Sequence, residues 1–507
     1  MKRFFLPAAL ALALPALLPS IFAAEAAGSR QAVTGDLTLD RAVEIALKQN
    51  PNILKAIQQI QVTRGQIIQV RGQALPQIAV HARYDQKDRA LLEGRGLAGG
   101  NLGGANAGAG DGTIQGQDAS GVQATGATAR SWNVTIQATQ VLYAGGQIRA
   151  ALNLAKFTND SSYFSLRDTV DNTIATVRQN FYSVLLNREL ITVQEQSVKL
   201  LGSQLKDQQN RFEAGTVPRF NVLQAEVALA NQQPVLINAK GSYYLSLVQL
   251  AKTLSLDPGP DGRPTFSAVG ELTVSERAYG LKNAIDLALE QRPFLKVQRL
   301  TILSQKEQVK VALAGYQPKF YANVGGLVRN SALSQQLDDT VNGWFFGFTG
   351  QWNIFDGLET YGTVKAARAS LEQAKINYDD SVQQVQLEVQ QAYVKLQTAR
   401  ATIRSGQKTV EQADEALRLA GERLAAGAGT QLDVLNAQVQ ITTARSTELQ
   451  ARADYNIALA DYDRVTATAT KYAETFADPL VQRNAPKMPP LKNPPQAPKA
   501  PATKPQP

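Results

Sequence analysis

Apolar and polar positions alternate with a period of two in four short stretches. Ile78, Val80, Ala82 and Tyr84 alternate with Gln77, Ala79, His81 and Arg83, and Trp132, Val134, Ile136 and Ala138 alternate with Asn133, Thr135, Gln137 and Thr139. Further on, Phe320, Ala322, Val324 and Val328 alternate with Tyr321, Asn323, Gly325 and Arg329, and Trp344, Phe346, Phe348 and Trp352 alternate with Phe345, Gly347, Thr349, Gln351 and Asn353. A strand points successive side chains to opposite faces, so each run has one apolar and one polar face. About ten residues with aromatic ends is the pattern of a tilted strand crossing a bilayer. The alternation predicts strands at about 77–85, 131–142, 319–329 and 344–355, with Asn133, Thr135, Gln137, Asn323, Thr349, Gln351 and Asn353 lining an aqueous pore. His81 falls on the same polar face and is read as lumen-facing and non-catalytic.

Between these stretches the period lengthens. From Leu371 to Leu424 apolar residues recur every three or four positions, as in Val382, Val385, Val389, Ala392, Leu396 and Ala399, which is a coiled-coil seam with one extra four-residue step near Tyr378. Residues 358–426 hold no proline, so this seam predicts a single helix on the order of 100 Å long. A matching helix is expected from about Gly146 to Ala214. Pro76 and Pro318 end helices and start strands, because proline cannot continue the helical hydrogen bonds.

The chain is also internally duplicated. Ala42-Val-Glu-Ile-Ala-Leu-Lys-Gln-Asn-Pro51 matches Ala284-Ile-Asp-Leu-Ala-Leu-Glu-Gln-Arg-Pro293 at an offset of 242, and Gly145, Arg211, Gly215 and Asn221-Val-Leu-Gln-Ala225 match Gly357, Arg423, Gly427 and Asp433-Val-Leu-Asn-Ala437 at an offset of 212. The difference lies in Gly94 to Gly126, a stretch with twelve glycines in the first repeat that reads as a surface loop. The repeats are placed at 38–257 and 279–470, each running helix, strand, outside loop, strand, long helix, tip, long helix. Short helices around Thr38 to Gln49 and Leu281 to Glu290, with Asp257-Pro-Gly-Pro-Asp-Gly262, are expected to form a belt. Asn330 to Asn342 is expected to be the second outside loop.

Four strands cannot close a barrel, and lipid does not tolerate an open sheet edge. Three copies would supply twelve strands, above the minimum of about eight. The fold class expected from the residues is helical plus transmembrane β: four strands per protomer in a barrel shared between copies, 12-stranded if there are three, continued by a long helical coiled coil. A soluble four-stranded sheet is the competing reading.

Composition narrows the function. Cysteine is absent and histidine occurs once, which removes thiol nucleophiles, Cys/His zinc sites and disulfides. Gly108-Ala-Gly-Asp-Gly112 follows no strand and opens no helix, so it is not read as a phosphate-binding loop. No enzyme, metal or cofactor is expected. Of the net charge of +9, two charges sit in the leader at Lys2 and Arg3 and five in the tail after Asp478, leaving a nearly neutral body with no nucleic-acid footprint. Residues 1–24 read as a secretory signal, with Lys2 and Arg3 before an apolar core and small residues at Ala23, Ala24 and Ala26. No cysteine near the cleavage site is available for a lipid anchor. Residues 478–507 read as a mobile proline- and lysine-rich tail.

These features together resemble the TolC-type outer-membrane efflux and secretion channels. The resemblance is carried by Asn50-Pro51 and Gln291-Arg292-Pro293, by Leu142-Tyr-Ala-Gly-Gly146 and Ile354-Phe-Asp-Gly-Leu358, and by Arg211-Phe-Glu-Ala-Gly215 and Arg423-Leu-Ala-Ala-Gly427 with the motifs that follow them. It implies a homotrimer embedded in outer-membrane lipid, working as the passive exit duct of a tripartite efflux pump or type I secretion system. It further implies a periplasmic adaptor and an inner-membrane transporter as partners. An exported coiled-coil tether without channel activity is the alternative. The tips Gly215 to Phe220 and Gly427 to Leu432 are the only short turns between long helices, so Gly215, Thr216, Val217, Gly427, Ala428 and Gly429 are the expected adaptor-docking residues. Threefold symmetry would turn Asp433 into a carboxylate ring at a periplasmic gate, with a helix N-cap as its simpler role. This chain has Asn221 where the family's best-known gate has a second aspartate, and Leu424 and Gly429 where it has tyrosine and arginine. Closure is therefore expected to rest on the packing of Leu424 and Leu432.

Overall fold

The computed structural model describes residues 35–86, 130–257, 262–274, 280–330 and 337–468. Residues 1–24, expected to be a signal segment, the glycine-rich stretch 94–126 and the expected tail 478–507 lie outside the described residues, as do 258–261 of the Pro-Gly connection. In chain order the elements are β1 (Gly35–Leu37), α1 (Leu39–Gln49), α2 (Pro51–Gly72), β2 (Gln77–Gln86), β3 (Arg130–Ala144), α3 (Gln147–Glu213) and α4 (Arg219–Leu254). After β4 (Phe266–Ala268) come α5 (Leu281–Gln291), α6 (Pro293–Leu313), β5 (Lys319–Asn330), β6 (Thr340–Gln351), α7 (Glu359–Ala425) and α8 (Gln431–Val465). The chain divides into two compact units, one of residues 1–58, 164–295 and 382–507 and the other of residues 59–163 and 296–381.

In the first unit the seam of α7 meets α8 antiparallel. Ala413 packs with Ile441 and Ala444, Leu396, Ala399 and Ile403 with Ala451, Tyr455 and Ala458, and Val385, Val389 and Ala392 with Tyr462 and Val465. Alternating large and small side chains let the two backbones approach and interdigitate. α3 and α4 also run antiparallel, and polar links join them: Asn180 Nδ2 donates to Thr253 Oγ1 at 2.8 Å, Gln232 Nε2 to Gln194 Oε1 at 2.5 Å, and Lys240 pairs with Glu195 at 2.9 Å. The duplicated Asn-Pro and Arg-Pro breaks each end a short helix. Asn50 and Arg292 are extended C-caps whose N–H groups donate to Ala46 and Ala288, and the following proline starts the next helix where no N–H is needed. β1 and β4 pair in parallel, joining the entries to the two repeats.

In the second unit the sheet order is β2-β3-β5-β6, antiparallel throughout. β2 and β6 are its edges. β5 and β6 run to Asn330 and from Thr340, so the intervening loop is shorter than Asn330 to Asn342. β6 also starts and stops four residues before the expected 344–355. Gln351 is opposite Lys319, the first residue of β5, so no partner remains for Trp352 or Asn353, and the Trp352 indole instead donates to Tyr316 O at 3.1 Å. Asn353 is therefore off the strand. In the first repeat Gly145 and Gly146 take φ of 60° and 78° to turn into α3; in the second, Gly357 and Leu358 do so with 68° and 73°. Leu358 holds a conformation unfavourable to a side chain, pinned by Asp356, which accepts from the N–H groups of Leu358 and Thr360 at 3.1 and 2.9 Å.

Candidate channel wall and helix tips

The register puts the apolar alternants on one face of the four-stranded sheet. Val80 lies opposite Ile136, Ala138 opposite Val324, and Val324 opposite Phe346. This face is uncovered: Ile78, Val80, Trp344 and Phe348 are 72%, 64%, 83% and 69% exposed. On the other face three of the expected pore-lining residues come together. Asn323 Oδ1 accepts from Gln137 Nε2 at 3.3 Å and from Thr139 Oγ1 at 3.0 Å, and Asn323 Nδ2 donates to Thr349 Oγ1 at 3.2 Å. Thr139, a polar alternant not expected to line the pore, joins them. Thr135 stands between His81 and Leu327, Asn133 between Arg83 and Arg329, and Gln351 beside Lys319. The middle of this wall is thus uncharged amide and hydroxyl, with charged side chains toward the strand ends. Phe345 shares the face and lies over Gly325, where a Cβ would meet its ring at 2.6 Å.

Both tips end their first helix in the same way. Gly215 and Gly427 have φ of 72°, and the N–H groups of Gly215 and Thr216 donate to Phe212 and Arg211, as those of Gly427 and Ala428 do to Leu424 and Arg423. This is the left-handed glycine cap that closes a helix C-terminus. Nothing lies within 4 Å of a Cβ at either glycine, so the backbone angle alone demands the residue. Gly429 is different, since a Cβ there would meet Arg423 Cβ and Leu424 N at 3.1 Å. The starts of the second helices diverge. Thr430 is the N-cap of α8 and forms a capping box with Asp433: Asp433 N donates to Thr430 Oγ1 at 3.2 Å, and Thr430 N to Asp433 Oδ2 at 2.9 Å. Asp433 is therefore the third residue of the helix, not its cap. The hydrogen bonds from the Thr430 N–H and hydroxyl hold its carboxyl below the usual range. α4 has Pro218 as N-cap without a side-chain bond, and Asn221 donates its N–H to Pro218 O at 3.0 Å. Val217, Asn221 and Leu424 are half-buried, whereas Thr216, Ala428, Leu432 and Asp433 are exposed. Behind the tips, Gln208 Nε2 donates to Gln431 Oε1 at 3.0 Å, both side chains being buried.

A charge cluster in the first unit escaped sequence reasoning because its members lie far apart in the chain. Buried Arg292 bonds Glu388 at 2.5 Å, and Arg464 approaches the same carboxylate at 3.9 Å. Burial opposes ionisation of Glu388, yet the Arg292 hydrogen bond and charge hold its carboxyl below the ordinary value. Asp171 is pushed up to about 6 by burial, which Arg167 only partly offsets and Asp168 reinforces.

The family model of outer membrane efflux proteins matches residues 42–255 and 284–467. The chain belongs to the outer membrane efflux protein family. The two matched segments are the two repeats, so each repeat of this outer membrane efflux protein is one copy of the family's unit. Among solved structures it is similar to the CmeC outer membrane channel of Campylobacter jejuni, with 18% identity, a TM-score of 0.69 and coverage of 84% of this chain and 85% of that one. VceC of Vibrio cholerae gives 17%, 0.67, 84% and 95%, and the MtrE outer membrane channel of Neisseria gonorrhoeae 19%, 0.64, 84% and 88%. At these identities the likeness is one of fold. A search of curated proteins finds no match by sequence. The family places the protein in the outer membrane. No described helix is long and apolar enough to cross a membrane.

Proposed function

We propose that three copies of this outer membrane efflux protein form one passive exit duct, with twelve strands in the outer membrane and the long helices as a periplasmic barrel. The duct receives substrate from an inner-membrane transporter through a periplasmic adaptor, in a tripartite pump or a type I secretion system, and performs no catalytic step. One observation carries this reading: a four-stranded sheet with a largely apolar exposed face and two unpaired edges, β2 and β6, which lipid tolerates only when other copies close the ring. The similar folds of proteins described as outer membrane channels support it. The uncharged Gln137, Thr139, Asn323 and Thr349 network suits a conduit for varied cargo. The glycine-capped tips are the adaptor-docking ends, and Asp433 with Leu424 and Leu432 forms the periplasmic constriction. Mass measurement in detergent gives three copies per particle, and the particle conducts ions in a planar bilayer; a stable monomer, or a trimer that conducts nothing and acts as a tether, overturns the reading. Asp433→Asn lowers cation selectivity and block by periplasmic divalent cations, whereas unchanged block leaves Asp433 as a capping residue alone. Bulky replacement of Gly215 and Gly427 abolishes adaptor cross-linking in a protein that still trimerises.

A further inference from the structure

At the end of the sheet that continues into α3, a cavity of about 560 Å³ is lined by Tyr143, Arg149, Asn153, Glu307, Lys310 and Leu313 among others. Its wall is tightly built, since a Cβ on Gly145 would meet Gln317 Cβ at 2.6 Å and Ala314 O at 2.9 Å. Glu307 is 8% exposed and bonds Lys310 Nζ at 2.7 Å and Asn153 Nδ2 at 3.4 Å, so its charge is matched and Lys310 is held in place. Arg149, exposed on the first turn of α3, adds a second cation, which leaves the cavity with one net positive charge.

The rim of the cavity reaches the apolar face of the sheet through Tyr143. A bulge between Val141 and Tyr143 shifts the alternation and sets Tyr143 opposite Phe320, with ring centroids 6.3 Å apart. Phe320 begins the apolar series that continues through Ala322 and Val324, so Tyr143 stands on the lipid face. The strands above the cavity are β3 and β5, the two central ones, so pairing of β2 and β6 with neighbouring copies leaves it uncovered. Two cations and a tyrosine at the boundary between an apolar wall and water match a phosphate headgroup with its acyl chains lying along the sheet, and the volume is that of a small-molecule site.

We propose that this cavity binds an anionic phospholipid of the periplasmic leaflet, with Arg149 and Lys310 on the phosphate and Tyr143 and Leu313 against the glycerol and first acyl carbons. The intact trimer in detergent, titrated with phosphatidylglycerol and followed by native mass spectrometry, retains one lipid per chain. Arg149→Gln weakens retention about fivefold, and Arg149→Glu about twenty-five-fold, for one and two units of charge lost near the surface. Arg149→Lys restores it, and Lys375→Gln, at an exposed lysine paired with Glu372, leaves it unchanged. Equal retention by wild type and Arg149→Glu overturns the site. Displacement of the lipid by inorganic phosphate at equal concentration also overturns it, by showing a site for the free anion.

Discussion

α4 and α8 are the same element of the two repeats, of 36 and 35 residues, yet they are packed very differently. α8 buries fifteen of its residues against α7 and α3, whereas α4 buries Ala225, Leu247, Leu250 and Leu254. Leu435 is 9% exposed and its counterpart Leu223 is 47% exposed, although both follow the same motif. Along α4, Phe220, Ile237 and Leu245 are 69%, 67% and 67% exposed. Duplication therefore preserved the helix and its tip but not its surroundings. The chain by itself satisfies α8 and leaves these apolar residues of α4 exposed.

The largest effect expected from this difference is at Tyr455, which is fully buried in α8. Tyr455→Ala costs about 3–5 kcal/mol, whereas Tyr243→Ala, at the equivalent and only half-buried position of α4, costs well under half of that; chemical denaturation followed by helical circular dichroism measures both. Equal costs would mean that α4 is buried within its own chain.

A second test uses the repeat as its own control. Asp171, facing the Arg464 end of α8, corresponds to Gln383 in the other repeat. Because its folded pKa is raised to about 6, the folded state keeps a proton that the unfolded chain has lost. Stability therefore falls as pH rises from about 4 to 6, and the penalty is complete above that window. Asp171→Gln relieves up to ~3 kcal/mol at pH 7.5 and flattens the pH profile of denaturation between pH 4 and 6; an unchanged profile would show that Asp171 ionises normally.

The tips give a smaller contrast. Thr430→Ala removes the capping box of α8 and costs about 1 kcal/mol, seen as faster amide exchange in residues 430–435, while Pro218→Ala leaves the exchange of the first turn of α4 nearly unaltered. The smallest effect on the chain's own stability, within about 0.5 kcal/mol, is expected for Ile237→Glu on the exposed face of α4. That substitution nevertheless lowers the trimer fraction seen by native mass spectrometry, and an unaltered fraction would remove α4 from the interface.

Much of the fold was legible because its signals are local. A strand with lipid on one side and water on the other must alternate, and a helix that packs along its whole length must carry a 3.5-residue seam. Gly215 and Gly427 were legible as turn residues for the same reason, since their backbone angle is required whatever surrounds them. Thr430 and Asp433 carry the spacing of a capping box, so the cap was readable, although Asp433 was assigned the wrong position in it.

Other features depended on residues distant in sequence. Asn353 alternates correctly but leaves the sheet because β5 supplies no residue to pair with it. The bulge that turns Tyr143 to the apolar face, and the pairing of Arg292 with Glu388, arise from register and helix packing between segments far apart in the chain. The sequence determined which segments are strands, which are long helices and where each turns, because periodicity and backbone angle act within a few residues. Only the tertiary structure decided which of the two corresponding helices is buried, because burial depends on which neighbour occupies the facing surface, and the two copies of one motif were given different neighbours.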